Sequence, residues 1–99
     1  MNTDTNDILR LHIIVTGRVQ GVGFRAYVQE VGTRLRLSGW VRNLGYDQVE
    51  AVAEGPRPAL EKFTEAVKAG PRASRVDEAR IEWETASGEF VGFSVRSSW

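Results

Sequence analysis

Ninety-nine residues suffice for one hydrophobic core, and the absence of cysteine excludes a disulfide framework, a zinc–thiolate centre and a thiol nucleophile. Thirteen basic side chains cancel thirteen acidic ones, which argues against wrapping nucleic acid or lying on an anionic membrane, so any anion site must be local. No run approaches the length of a membrane span, the polar start is unlike a signal peptide, and the cysteine-free composition suits a reducing cytoplasm.

Residues 1–7 carry no apolar pattern and read as a disordered leader, with a single domain over 8–99. From Ile8 to Thr16 the chain alternates, with Leu9, Leu11, Ile13 and Val15 on one face and Arg10, His12, Ile14 and Thr16 on the other, the pattern of a half-buried strand. His12, the only histidine, falls on the second face and reads as a solvated strand residue rather than a general base.

The next stretch, Gly-Arg-Val-Gln-Gly-Val-Gly-Phe-Arg at 17 to 25, is the centre of the sequence. Its glycines, Gly17, Gly21 and Gly23, permit left-handed backbone and close approach of a ligand. A turn of this kind can aim successive N–H groups at an anion, and a helix start adds unpaired donors and partial positive charge. Arg25 adds a planar fork of donors matched to phosphate oxygens. The stretch therefore reads as a phosphate cradle, although a glycine-rich strand-to-helix turn can also be a turn and nothing more. Two named nucleotide motifs fail: there is no Gly-Lys-Ser/Thr, and no acidic residue stands about twenty positions on to complete a dinucleotide fingerprint.

Phe24, Tyr27, Val28, Val31 and Leu35 form the apolar stripe of a helix over 24–36, weakened by Gly32. Gly39 to Asn43 reads as a second strand, 44–48 as a turn and Val49 to Glu54 as a third strand, making a hairpin. Gly55-Pro56-Arg57-Pro58 opens a second helix with the stripe Leu60, Phe63 and Val67, closed by Gly70-Pro71. Val76 to Glu84 sets Ala79, Ile81 and Trp83 against Glu78, Arg80, Glu82 and Glu84, a strand whose charged side reads as solvated. Ser87-Gly88 turns, and Phe90 to Arg96 alternates as a last strand.

The order is βαββαβ plus an extra C-terminal strand. It predicts an α+β, ferredoxin-like sandwich, an antiparallel-type sheet of four strands plus one with two helices packed on one face. In a split βαβ unit the first two strands point the same way, so the loop after the first and the end of the second open at one edge. Arg25 and Asn43 should therefore be neighbours. An asparagine amide both donates and accepts, so Asn43 could hold a water; an ordinary hairpin residue accounts for it equally well.

Residues 17–25 together with Gly-Trp-Val-Arg-Asn at 39 to 43 resemble the acylphosphatase family, in its order and spacing. The similarity continues through Val-Glu-Ala-Val-Ala-Glu-Gly-Pro at 49 to 56 and Gly-Glu-Phe-Val-Gly-Phe at 88 to 93. The resemblance implies hydrolysis of an acyl phosphate to a carboxylate and inorganic phosphate by a monomer that uses neither metal nor cofactor. It makes Arg25 the phosphate-binding arginine, Asn43 the residue that positions water, and the main chain of Val19, Gln20, Gly21, Val22, Gly23 and Phe24 the cradle of N–H donors. The family often has glycine where Arg36 stands, a small helix-compatible residue where Gly32 stands and Asp-Gly in the hairpin turn, where this chain has Gly45-Tyr46-Asp47; the first two departures concern stability. A non-catalytic anion-binding module of the same fold is the alternative. An RNA-binding module of this topology would need stacking aromatics that 49–54 lacks. Hydrogenase-maturation proteins, which carry a similar domain acting on carbamoyl phosphate, are much longer chains.

Overall fold

The computed structural model describes residues 7–97, so the predicted leader lies outside them except for Asp7. The elements are β1 (Ile8–Arg18), α1 (Phe24–Arg34), β2 (Ser38–Leu44), β3 (Gln48–Pro56), α2 (Arg57–Ala69), β4 (Arg75–Thr85) and β5 (Phe93–Val95). They form one five-stranded sheet in the order β4-β1-β3-β2-β5.

Alternation decides which face is covered. Leu11, Ile13 and Val15 of β1 stand opposite Ala53, Ala51 and Val49 of β3, and all six are buried. Both helices close over this face, α1 contributing Phe24, Val28 and Val31 and α2 contributing Leu60, Phe63 and Val67 to a single core. A fully buried side chain of this size contributes about 1.5–3 kcal/mol, whereas an exposed helical ion pair such as Arg34–Glu30 or Arg57–Glu61 adds only about 0.3–0.5. The core therefore outweighs the surface pairs.

The ferredoxin-like plan is present. Both β1 and β2 run antiparallel to β3, which lies between them, so they point the same way as expected. The extra strand makes the sheet mixed rather than wholly antiparallel-type, because β5 pairs parallel to β2. It is also shorter than the predicted 90–96. Gly88 (φ 73°) and Gly92 (φ 70°) take left-handed backbone that cannot continue a strand, and only Phe93 to Val95 pair.

The first helix stops at Arg34, two residues before the predicted end. Leu37 N donates to Gly32 O and Arg36 N to Thr33 O, a Schellman closure that puts Arg36 in the left-handed position at φ 61°. In the hairpin, Leu44 pairs with Gln48, so those two predicted turn residues belong to the ladder and the loop is Gly45 to Asp47.

The open face of the sheet is an ion-paired layer rather than a simply solvated one. Glu50 accepts from Arg42 Nε at 2.7 Å and lies 2.7 Å from His12 Nε2, so His12 is half-buried and engaged. Glu54 is only 3% exposed and accepts from Arg10 Nε at 2.7 Å and from Ser87 N at 2.8 Å and Gly88 N at 2.9 Å. The charged side of β4 (Glu78, Arg80, Glu82 and Glu84) is exposed, as expected.

Candidate active site

At its end β1 bends, with a register irregularity between Thr16 and Gly17, and releases the chain into the glycine loop. Apolar anchors pin that loop from below. Val19 and Phe24 are buried in the core, and Val22 packs against it. Gly21 (φ 73°) and Gly23 (φ 79°) turn the backbone between these anchors, and a Cβ on either would meet no atom within 4 Å. Glycine is therefore required there by conformation and not by crowding.

Gly23 is also the N-cap of α1. No side chain caps this helix start and no acidic residue lies in its first turn. The first amides of a helix lack intrahelical acceptors, so the start of α1 can turn N–H donors toward an anion, with partial positive charge behind them. Among the described residues, no carbonyl accepts from the loop amides of Gln20 to Gly23.

Asn43 arrives from the other side. Trp40 and Arg42 lie on the open face of β2, so Val41 and Asn43 point to the helix side, where Val41 enters the core. The result is a cavity of about 300 Å³ lined by Val19, Gly21, Gly23, Phe24, Arg25, Ala26, Asn43 and Val95. Six of the eight predicted site residues thus share one cavity, with Arg25 and Asn43 both on its wall. Of the other two, Val22 packs against the core, and Gln20 sends its side chain to the hairpin, donating from Nε2 to Gly45 O at 3.1 Å and Gln48 O at 2.9 Å.

Sequence reasoning missed Ala26 and Val95. Alternation with the buried Phe93 puts Val95 on the helix side, but nothing local announces that β5 lies beside β2. Among the described residues, none that lines the cavity carries a carboxylate or an imidazole. His12, Glu82 and Glu84 bring ligand-type atoms within 4.8 Å of one another, but on the opposite face of the sheet, where they contribute nothing to the cavity. Among the described residues no helix is long and apolar enough to cross a membrane.

The arrangement offers a polarised helix start, a glycine-rich turn, an arginine and a carboxamide around a small apolar-walled space. The chain is similar over most of its length to known proteins. The acylphosphatase family model matches residues 11–95. The acylphosphatase of Salinibacter ruber is 45% identical over 94% of this chain and 98% of its own length. That of Syntrophotalea carbinolica is 49% identical over 89% of this chain and 96% of its own. The crystal structure of the Bacillus subtilis acylphosphatase superposes with a TM-score of 0.85 at 43% identity, covering 89% of this chain and 98% of that one.

Proposed function

The chain belongs to the acylphosphatase family, and from that premise we propose how its cavity performs the hydrolysis of acyl phosphates. The enzyme class is an acyl phosphate phosphohydrolase, releasing a carboxylate and inorganic phosphate. The substrate carries up to two negative charges and an activated leaving group, so acid–base help matters less than positioning and charge stabilisation. In our reading the amides of Val19 to Phe24 and the fork of Arg25 hold the equatorial phosphoryl oxygens, where negative charge persists through the transition state. Asn43 accepts a hydrogen bond from water and aligns its oxygen behind phosphorus, opposite the bond to the acyl oxygen. The P–O bond to the carboxylate breaks as the water oxygen bonds to phosphorus, and the water's proton passes to a phosphoryl oxygen, since the described lining residues offer no base.

The observation that supports this reading is the joint presence of Arg25 and Asn43 in the lining of the same cavity. We further take the chain to act as a monomer in the cytoplasm, consistent with the cysteine-free composition, without binding nucleic acid.

Kinetics separate the two roles. Arg25→Gln is expected to weaken competitive inhibition by phosphate and to slow turnover by on the order of 10²–10³, the usual loss on removing one preorganised donor. Asn43→Ala is expected to lower kcat with KM and phosphate inhibition nearly unchanged, the mark of a contact made in the transition state. A large rise in KM for Asn43→Ala with kcat intact would make it a substrate binder. Undiminished phosphate affinity in Arg25→Gln would remove the cradle assignment, and a wild-type chain that binds phosphate but releases none from an acyl phosphate would be the anion-binding module.

A further inference from the structure

The cavity has two halves that come from different parts of the chain. The loop of residues 19–23 and the start of α1 form one, and the β2–β3 hairpin that carries Asn43 forms the other. A displacement of about 1 Å between reacting groups can cost on the order of a hundredfold in rate. Something must therefore hold the hairpin against the loop.

Several contacts join the two at the level of β1. Gly17 N donates to Asp47 O at 2.9 Å, and Gln48 Nε2 donates to Thr16 Oγ1 at 3.1 Å. Both precede the loop. Gln20 makes the connection from within the loop itself: its Nε2 donates to Gly45 O at 3.1 Å and Gln48 O at 2.9 Å. These acceptors bracket the site. Asn43 pairs across the hairpin with Val49, and Leu44 with Gln48, so one acceptor lies two residues after Asn43 and the other immediately before its cross-strand partner. One amide group thus grips the hairpin turn and the start of β3 just beyond Asn43. The hairpin tip offers no burial to do this instead, because Gly45, Tyr46 and Asp47 are all exposed.

We propose that the Gln20 side chain is a positioning residue, a clamp that sets Asn43 in register with the phosphate-holding loop. The proposal rests on the reading of Asn43 given above. It assigns to Gln20 a role for its side chain distinct from that of its main-chain amide. Substrate binding through the loop does not need the clamp, but the alignment of water with phosphorus does.

The test uses Gln20→Met, which keeps length and neutrality and removes both donors, with Gln20→Ala as a second variant. Each is made in the wild-type and Asn43→Ala backgrounds, and thermal melting confirms folding. The expected result is a kcat lowered about tenfold or more, with KM and the inhibition constant of inorganic phosphate changed less than about twofold. In the Asn43→Ala background the same substitution should cost little more, because coupled residues are non-additive. An unchanged kcat overturns the clamp. So does a loss of the same size with or without Asn43, or a loss of phosphate affinity that tracks the loss of rate. If Asn43→Ala alone is near normal, the water-positioning reading falls and the clamp falls with it, an outcome separate from the other three.

Discussion

Arg36 shows how one residue can carry a cost that the rest of the fold absorbs. It occupies the left-handed position that closes α1, at φ 61°, the only described non-glycine residue with positive φ. A side chain there costs roughly 1–2 kcal/mol, which is why glycine usually fills it. The Schellman bonds from Arg36 N and Leu37 N, together with burial of Leu37 in the core, hold the residue in place. Arg36→Gly removes the strain but gives the unfolded chain more freedom, which opposes the gain by about 0.4–1 kcal/mol. Release of the strain outweighs that loss. The expected outcome is a gain of about 0.5–1 kcal/mol in stability, read from the urea unfolding midpoint, with the slope and kcat unchanged, since Arg36 is exposed and does not line the cavity.

At the scale of elements, β5 is where local sequence and packing part company. Gly32 lies inside α1, where alanine would gain about 1 kcal/mol of helix propensity. A Cβ there would sit 2.5 Å from Phe93 Cδ2 and 2.8 Å from Cγ. That ring is buried and packs against Phe63 with centroids 5.7 Å apart, so it has little room to give way. Overpacking of this kind typically costs about 1–3 kcal/mol and outweighs the propensity gain. Gly32→Ala is therefore expected to lower the melting midpoint despite being a better helix former; a stabilised variant would show that Phe93 moves freely. The same feature marks the limit of what the sequence discloses. The period-two runs of β1 and β3 and the helical stripes of Leu60, Phe63 and Val67 are local signals, and they place the core and the Arg25–Asn43 pair correctly. The seating of β5 beside β2 depends on Phe93 fitting a gap over Gly32, a long-range match with no local pattern. Val95 and the reach of Gln20 to Gly45 escape sequence reading for the same reason.

For the whole molecule, the layer of ion pairs on the open face governs behaviour in acid. Burial alone would raise the carboxyl of Glu54, but the amides of Ser87 and Gly88, the Arg10 guanidinium and the Ser87 hydroxyl together hold it below the ordinary glutamate value. Glu50 is likewise pushed up by burial and held lower overall by His12 and Arg42. A carboxyl whose folded pKa is depressed stabilises the fold fully above its unfolded value, about 4.3, and that stability is lost as pH falls through the folded value. Urea midpoints are therefore expected to hold at pH above the unfolded value and to fall as the solution is acidified below it. Glu54 is the larger contributor because it is nearly inaccessible and accepts from two main-chain amides that no other side chain among the described residues satisfies. In Glu54→Gln the carboxamide nitrogen faces a donor, and the Arg10 charge loses its buried partner, a change that costs about 3 kcal/mol or more near neutral pH. The variant should then fall less steeply in acid than the wild type, and the two curves should converge as the Glu54 carboxyl takes up its proton. Parallel curves in acid would place the acid sensitivity elsewhere and leave Glu54 as a packing residue for the Ser87–Gly88 turn.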